Sequence, residues 1–189
     1  MGNGVKGLLI RPQKLEDAGA VAALIKIGAR HLAQTAGVHI SPTRQTHGPQ
    51  LRTAGIVAVA GNRIVGTVSF HGRGRRFHLF NLVVHPKMRR QGIAQKLVVE
   101  LERIANASRA KVLSLHTIEE TGALVPFTRL GFRIQSAKPE FLIGQPSERA
   151  LTTVYMVKRL PGLPREKQED GETHGADTFN RPGLRAGRC

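Results

Sequence analysis

Apolar positions change their period along the chain, and each change marks an element. Leu8, Leu9 and Ile10 form a short apolar run closed by Arg11-Pro12, which predicts a first strand. Ala18, Val21, Ala22, Leu24, Ile25, Ile27 and Gly28 then recur at helical spacing and predict one buried face from about Leu15 to Leu32. Ala36 to Arg52, with Pro42, Gly48 and Pro49, has weak periodicity and reads as loop with at most a helical turn. Ile56 to Ala60 leads into Gly61-Asn62, after which Ile64, Val65, Thr67, Val68 and Phe70 resume a strand pattern, a hairpin signal. His71-Gly72-Arg73-Gly74-Arg75-Arg76 predicts the next turn, and Phe77 to Val84 another strand running into His85-Pro86.

From Gly92 the period becomes helical, because Ile93, Leu97, Val98, Leu101 and Ile104 fall on one stripe with Gln95, Lys96, Glu100 and Arg103 elsewhere. Val112, Leu113, Leu115 and Thr117 predict a fifth strand, and Gly122 to Leu130 a short helix stopped by Gly131. Phe132 to Ser136 and Thr152 to Leu160 predict the last two strands. Beyond Leu160, Pro, Gly and charge rise while periodicity vanishes, so residues 161–189 are expected to be a disordered polar tail on a single domain, 1–160. No internal repeat is present.

Composition narrows the classes. With 40% hydrophobic residues, no Trp and seven Phe, the core must be mainly aliphatic, and binding by stacked aromatics is disfavoured. No run reaches the roughly 18 apolar residues of a membrane span, and Met1 to Gly7 lacks a signal-peptide core, so a cytoplasmic protein without a membrane partner is expected. The single cysteine, Cys189, excludes an internal disulfide and a cysteine metal cluster. His71, His78 and His85 recur every seven residues without forming a standard metal site, so no metal is expected.

The formal charge of +16 attracts polyanions. In the tail Arg165, Lys167, Arg181, Arg185 and Arg188 are offset by Glu166, Glu169, Asp170, Glu172 and Asp177, which leaves the excess on residues 1–160. A basic folded face is therefore expected, and nucleic acid is a partner that charge allows but no motif supports. Arg73, Arg75 and Arg76 are either solvated turn residues or contacts for an acidic substrate or for cofactor phosphates.

The chemistry concentrates in Leu82-Val83-Val84-His85-Pro86-Lys87-Met88-Arg89-Arg90-Gln91-Gly92-Ile93-Ala94, a strand end, a basic turn and a helix start. N–H groups at a helix start lack partners and the helix dipole adds positive charge, so a pyrophosphate can sit there. Gly92 lets the main chain come close, Ala94 is small, and Arg89 and Arg90 supply charge at the rim. No G-x-x-x-x-G-K-[ST] is present, and Gly72-Arg73-Gly74 lacks the third glycine of a dinucleotide loop.

This stretch resembles the signature of the GNAT superfamily of N-acetyltransferases, in which a strand ending in Val-x-Pro leads to R/Q-x-x-G-x-G/A, here Arg89 to Ala94. Val125-Pro126-Phe127-Thr128-Arg129-Leu130-Gly131-Phe132 resembles a second segment, Y-x-x-L-G-F, on the helix before the sixth strand. The resemblance implies an α+β fold with a mixed, mostly antiparallel sheet of six or seven strands, splayed between the fourth and fifth and flanked by about four helices. It also implies acetyl-CoA as donor. The pyrophosphate would lie on Arg89, Arg90, Gln91, Gly92, Ile93 and Ala94, and the pantetheine arm against the main chain of Leu82, Val83 and Val84. The acceptor would be a primary amine of a small molecule or protein, attacking directly in a ternary complex, and a homodimer is compatible. A non-catalytic acyl-CoA-binding protein, or a basic nucleic-acid- or ribosome-associated protein on the same fold, is the alternative.

An alkylammonium with a pKa of about 10 must lose a proton before attack. Where many members carry Glu on the fourth strand, this chain has His78, either the base or a histidine at a strand surface. Glu120, with Glu119, at the end of the fifth strand, is the second choice, acting through water. Phe127, grouped with the cofactor contacts, stands where the family usually has a tyrosine that protonates the departing thiolate. A thiol with a pKa of about 8.5 is already a tolerable leaving group, so the missing hydroxyl need not abolish transfer. Tyr155, the only tyrosine, falls on the last strand, and Glu140 and Phe141 are expected to border the acceptor pocket as in relatives.

Overall fold

The computed structural model describes residues 7–36, 53–140 and 151–161. The expected loop from residue 37 to 52, Phe141 and the tail from residue 162 lie outside them. Seven strands, β1 (Leu8–Pro12), β2 (Ala54–Ala60), β3 (Arg63–Arg73), β4 (Arg76–Val84), β5 (Val112–Ile118), β6 (Arg133–Glu140) and β7 (Leu151–Arg159), form one sheet in the order β1-β2-β3-β4-β5-β7-β6. Only β4 and β5 run parallel; the other neighbours are antiparallel. The helices are α1 (Ala18–Ala36), α2 (Ile93–Ala107) and the short α3 (Leu124–Arg129), with single 3-10 turns at Leu15–Asp17, Pro86–Met88 and Glu119–Thr121. The expectation of about four flanking helices thus resolves, among the described residues, into two long ones, one short one and these turns.

Alternation along β3 sends neighbouring residues to opposite faces, and the two long helices divide those faces between them. A Cβ added to Gly66 would lie 3.0 Å from Ile93 and 3.1 Å from Leu97, so this face belongs to α2. The next residue, Thr67, is paired with Val83, and a Cβ added to Gly28 of α1 would come within 2.8 Å of Val83. That face belongs to α1. The main core lies beneath α2, where Ile93, Leu97 and Leu101 meet Val68, Phe70, Leu79, Leu113, Leu115 and Met156, all buried. Each such side chain contributes roughly 1.5–3 kcal/mol by leaving water.

The ends of the elements follow local chemistry. Asp17 precedes α1, accepts the Lys14 N–H at 2.7 Å and takes a two-pronged hydrogen bond from Arg11 at 2.6 and 2.9 Å. The Arg11 hydrogen bond, followed by the Lys14 N–H, lowers the Asp17 carboxyl to about 2. Helix α1 runs past the expected Leu32 to Ala36. The turn expected at His71–Arg76 is shorter: His71, Gly72 and Arg73 pair with His78, Phe77 and Arg76, leaving Gly74, at φ +58°, and Arg75 to turn the chain. Gly72 is a strand residue paired with Phe77, and the Phe77 ring, 2.7 Å from where its Cβ would stand, leaves little room for a side chain there.

Candidate functional site

The parallel seam between β4 and β5 is short. Arg76, Phe77 and His78 pair with Val112, Leu113 and Ser114, and no pairing joins the two strands beyond. β4 continues to Val84 and β5 to Ile118, while β5 pairs with β7 along its whole length. The sheet therefore opens into a wedge whose apex is His78–Ser114. A bulge helps to set it: Asn81 and Leu82 together oppose the single Val68, and Asn81 sits at φ +51°. Such an insertion bends its strand and increases the twist. Of the three residues expected to meet the pantetheine arm, Leu82 and Val84 pack partly against the core, and Val83 packs on α1.

Above the open end of the wedge the chain turns from β4 into α2. His85 N–H donates to Val65 O at 2.8 Å, tying the strand end to β3, and Met88 and Arg89 N–H close the 3-10 turn on His85 O and Pro86 O. Arg90 and Gly92 both take left-handed backbone conformations, at φ +62° and +75°. The first helical hydrogen bond runs from Lys96 N–H to Gly92 O at 3.0 Å, so the N–H groups before it have no partner inside the helix. A Cβ at Gly92 would meet nothing within 4 Å, which leaves the main chain approachable. Arg90 and Gly92 are exposed and Arg89, Gln91 and Ala94 half-buried, whereas the Ile93 side chain anchors α2 in the core and offers only its main chain. Arg89 departs from a simple rim charge, since its Nε donates to Val84 O at 3.3 Å.

On the α1 face, beside the apex, lies a cavity of about 550 Å³. Its floor is a row of rings crossing four strands. His71 on β3 faces His78 on β4 at 5.3 Å between ring centres, His78 faces His116 on β5 at 5.2 Å, and His116 faces Tyr155 on β7 at 4.9 Å. His78 Nδ1 lies 3.2 Å from Ser114 Oγ, which itself donates to Phe77 O at 3.4 Å. This assigns the Nδ1 proton to the serine contact and leaves the Nε2 lone pair to act as acceptor. Burial, with His116 and His71 adding to it, lowers His78 to about 4, so its imidazole is neutral near pH 7. The three histidines do not form a metal-holding group among the described residues.

Residues 26–132 match the family model described as the acetyltransferase (GNAT) family, more than half of the chain. The chain belongs to this family. No curated protein matches it in sequence. Among solved structures it is similar to nourseothricin acetyltransferase, at 19% identity and a TM-score of 0.62, with 82% of this chain and 100% of that one covered. It is also similar to the ribosomal-protein-S18-alanine N-acetyltransferase from Escherichia coli, at 17% identity, TM-score 0.61, 85% and 97% covered. A third is yncA from Salmonella typhimurium, solved with its cofactor acetyl-CoA, at 18% identity, TM-score 0.60, 84% and 97% covered. At these identities the likeness is one of fold, and the mixed sheet with its parallel β4–β5 seam is the fold expected from the motifs.

The other sequence candidates fall in different places. Glu120 follows β5 in the 3-10 turn, and both of its carboxylate oxygens accept the Thr152 N–H, at 3.0 and 3.1 Å. It fastens the start of β7. Phe127 on α3 meets Phe132 edge-on, at 6.0 Å between ring centres, and packs partly against the core. Ser114 and His116, which share the cavity with His78, were not singled out by sequence reasoning. The signal available was register: once β5 is set beside β4, every second residue of Ser114-Leu115-His116 shares the face of His78. No described helix is long and apolar enough to cross a membrane.

Proposed function

We propose that this acetyltransferase moves the acetyl group of acetyl-CoA to a primary amine held in the His78 cavity. The observation that carries the reading is the position of a neutral, half-buried imidazole at the point where β4 and β5 part. The wedge fits the donor: β4 leaves a strand edge unpaired with β5 from Leu79 to Val84, and the turn above it presents unpartnered N–H groups at an open glycine. Arg89 to Ala94 would hold the diphosphate, and Leu82 to Val84 the pantetheine arm. Bound there, acetyl-CoA supplies an acetyl thioester.

The chain's own task is to take the amine's proton. Direct transfer from an ammonium with a pKa of about 10 to a group near 4 is steeply uphill, so His78 does not serve by deprotonating the incoming ammonium. The ammonium first loses one proton to water and attacks as the neutral amine. As the C–N bond forms and the C–S bond breaks the nitrogen becomes acidic, and His78 takes its second proton at Nε2, the nitrogen opposite the serine-bound one. His78 lines the open cavity, so water there can carry the proton on to solvent. Phe127 offers no hydroxyl, so the departing thiolate is protonated by water.

Thiol release with a panel of primary amines, measured beside thermal stabilisation by acetyl-CoA, tests the reading. Stabilisation by the donor and acceptor-dependent thiol release are expected in the wild type, with release but not stabilisation lost in His78→Gln. Absence of stabilisation by acetyl-CoA would remove the donor site and the proposal with it.

A further inference from the structure

We infer that the acceptor is a small-molecule amine that also carries an anionic group, carboxylate or phosphate, and that Arg76 and Lys138 receive that group. The inference rests on the reading of the His78 cavity as the acceptor site.

Strand register fixes where charge lies on this face. Arg76 precedes His78 by one alternation on β4 and so shares its side of the sheet. Ser136 pairs with Tyr155 and Lys138 with Thr153, which carries the same face across to the outer strand and sets Lys138 at the opposite end of the cavity. Arg76 and Lys138 both line the cavity, and among the described residues no Asp or Glu does. Elsewhere among the described residues some cations are matched, Arg11 with Asp17, Arg103 with Glu100 and Lys158 with Glu102, and others, such as Arg63 and Lys96, are not, so what sets Arg76 and Lys138 apart is their place in the cavity. Among the described residues neither Arg76 nor Lys138 has a carboxylate partner.

Two consequences follow for whatever enters. Among the described residues the cavity's fixed charges are positive, and positive charge lowers the pKa of an ammonium within it, which favours the neutral amine that attacks. It also repels a di- or polyamine, whose remaining cations have no anion to meet. An anionic group on the same molecule removes this conflict, because it pairs with one of the unmatched cations while the amine lies at His78. The volume, about 550 Å³, is that of a small-molecule site.

The experiment compares acceptors that differ by the anion: 2-phenylethylamine against phenylalanine, and ethanolamine against phosphoethanolamine, with spermidine as the polycation. kcat and KM are measured by thiol release at low ionic strength in the wild type, Arg76→Glu, Lys138→Glu and the milder Lys138→Met. One charge-assisted contact corresponds to about 10- to 100-fold in affinity, so the anionic member of at least one pair should show a KM lower by about that factor. At least one of the reversals should erase the difference while leaving KM for acetyl-CoA unchanged. The pair that responds tells carboxylate from phosphate. Equal or better use of the neutral amines or of spermidine, or a preference that survives both reversals, overturns the inference and leaves the acetyltransfer reading intact. If no acceptor is turned over, calorimetry with phenylalanine and phosphoethanolamine on the CoA-saturated protein decides. Binding that either reversal abolishes supports the assignment of Arg76 and Lys138 to the anionic group; no binding, or binding that survives both reversals, refutes it.

Discussion

Gly92→Ala separates what the backbone needs from what a ligand needs. Its φ of +75° is left-handed, and a Cβ there would meet nothing within 4 Å, so the cost to the fold is conformational and amounts to roughly 1–2 kcal/mol. Gly74, in the β3–β4 turn at the other end of β4, has φ +58° and equally open surroundings. Gly74→Ala should therefore cost about the same, and each variant should melt about 2–8 °C below the wild type. Acetyl-CoA at about 100 times its Kd stabilises a binding-competent chain by about 2.7 kcal/mol, a rise of about 5–11 °C. The new methyl group of Gly92→Ala would stand where the diphosphate meets the turn. A tenfold loss of affinity would cut the stabilisation to about 1.4 kcal/mol, half the rise. Differential scanning fluorimetry of the three proteins with and without acetyl-CoA reads both effects. The full rise in Gly74→Ala and no more than half in Gly92→Ala is expected; equal rises in the two variants would refute a diphosphate site at the turn.

Four further outcomes are expected. His78→Gln should lower kcat by about 10²-fold or more, with donor binding retained. Folded His78 titrates near 4, below its ordinary 6.5, so the folded chain holds fewer protons than the unfolded one between those values. Its contribution to stability is complete above pH 6.5 and is lost as pH falls towards 4; His78→Phe should flatten the stability–pH curve in that window, as chemical denaturation at several pH values will show. Glu120→Ala removes the acceptor of the Thr152 N–H and should cost about 1–3 kcal/mol, with kcat little changed below the lowered melting point; a fall in kcat like that of His78→Gln would give Glu120 the proton-transfer role. Gly28→Ala gains about 1 kcal/mol of helix propensity but drives a methyl group to 2.8 Å from Val83, an overpacking cost of about 1–3 kcal/mol. A lower or unchanged denaturation midpoint is expected, and a rise would show that α1 shifts freely over β4.

Much of the fold was legible because its elements announce themselves locally. The stripe from Ile93 to Ile104 could be little other than an amphipathic helix, and Gly61-Asn62 between two alternating runs fixed a hairpin. The turn into α2 was equally readable, since its glycine and basic residues are contiguous. What escaped was cross-strand. The extension of β3 through His71 depends on pairing with β4, and six residues rich in Gly and Arg look like a turn until the partner strand is present. Ser114, His116 and Tyr155 join His78 only through the register of β4, β5 and β7, information that no single segment holds. The role of Glu120 was hidden likewise, because its partner lies 32 residues away in sequence.

The wedge has one consequence outside chemistry. An opening inside a sheet creates two inward-facing edges, each a template on which a foreign strand could grow into an aggregate. Here one edge is buckled at Asn81, and the other stops at Ile118, where the chain swings into the Glu119–Thr121 turn. A stranger's straight β-segment finds no long run of aligned donors and acceptors, so the fold keeps a gap in its middle without inviting polymerisation.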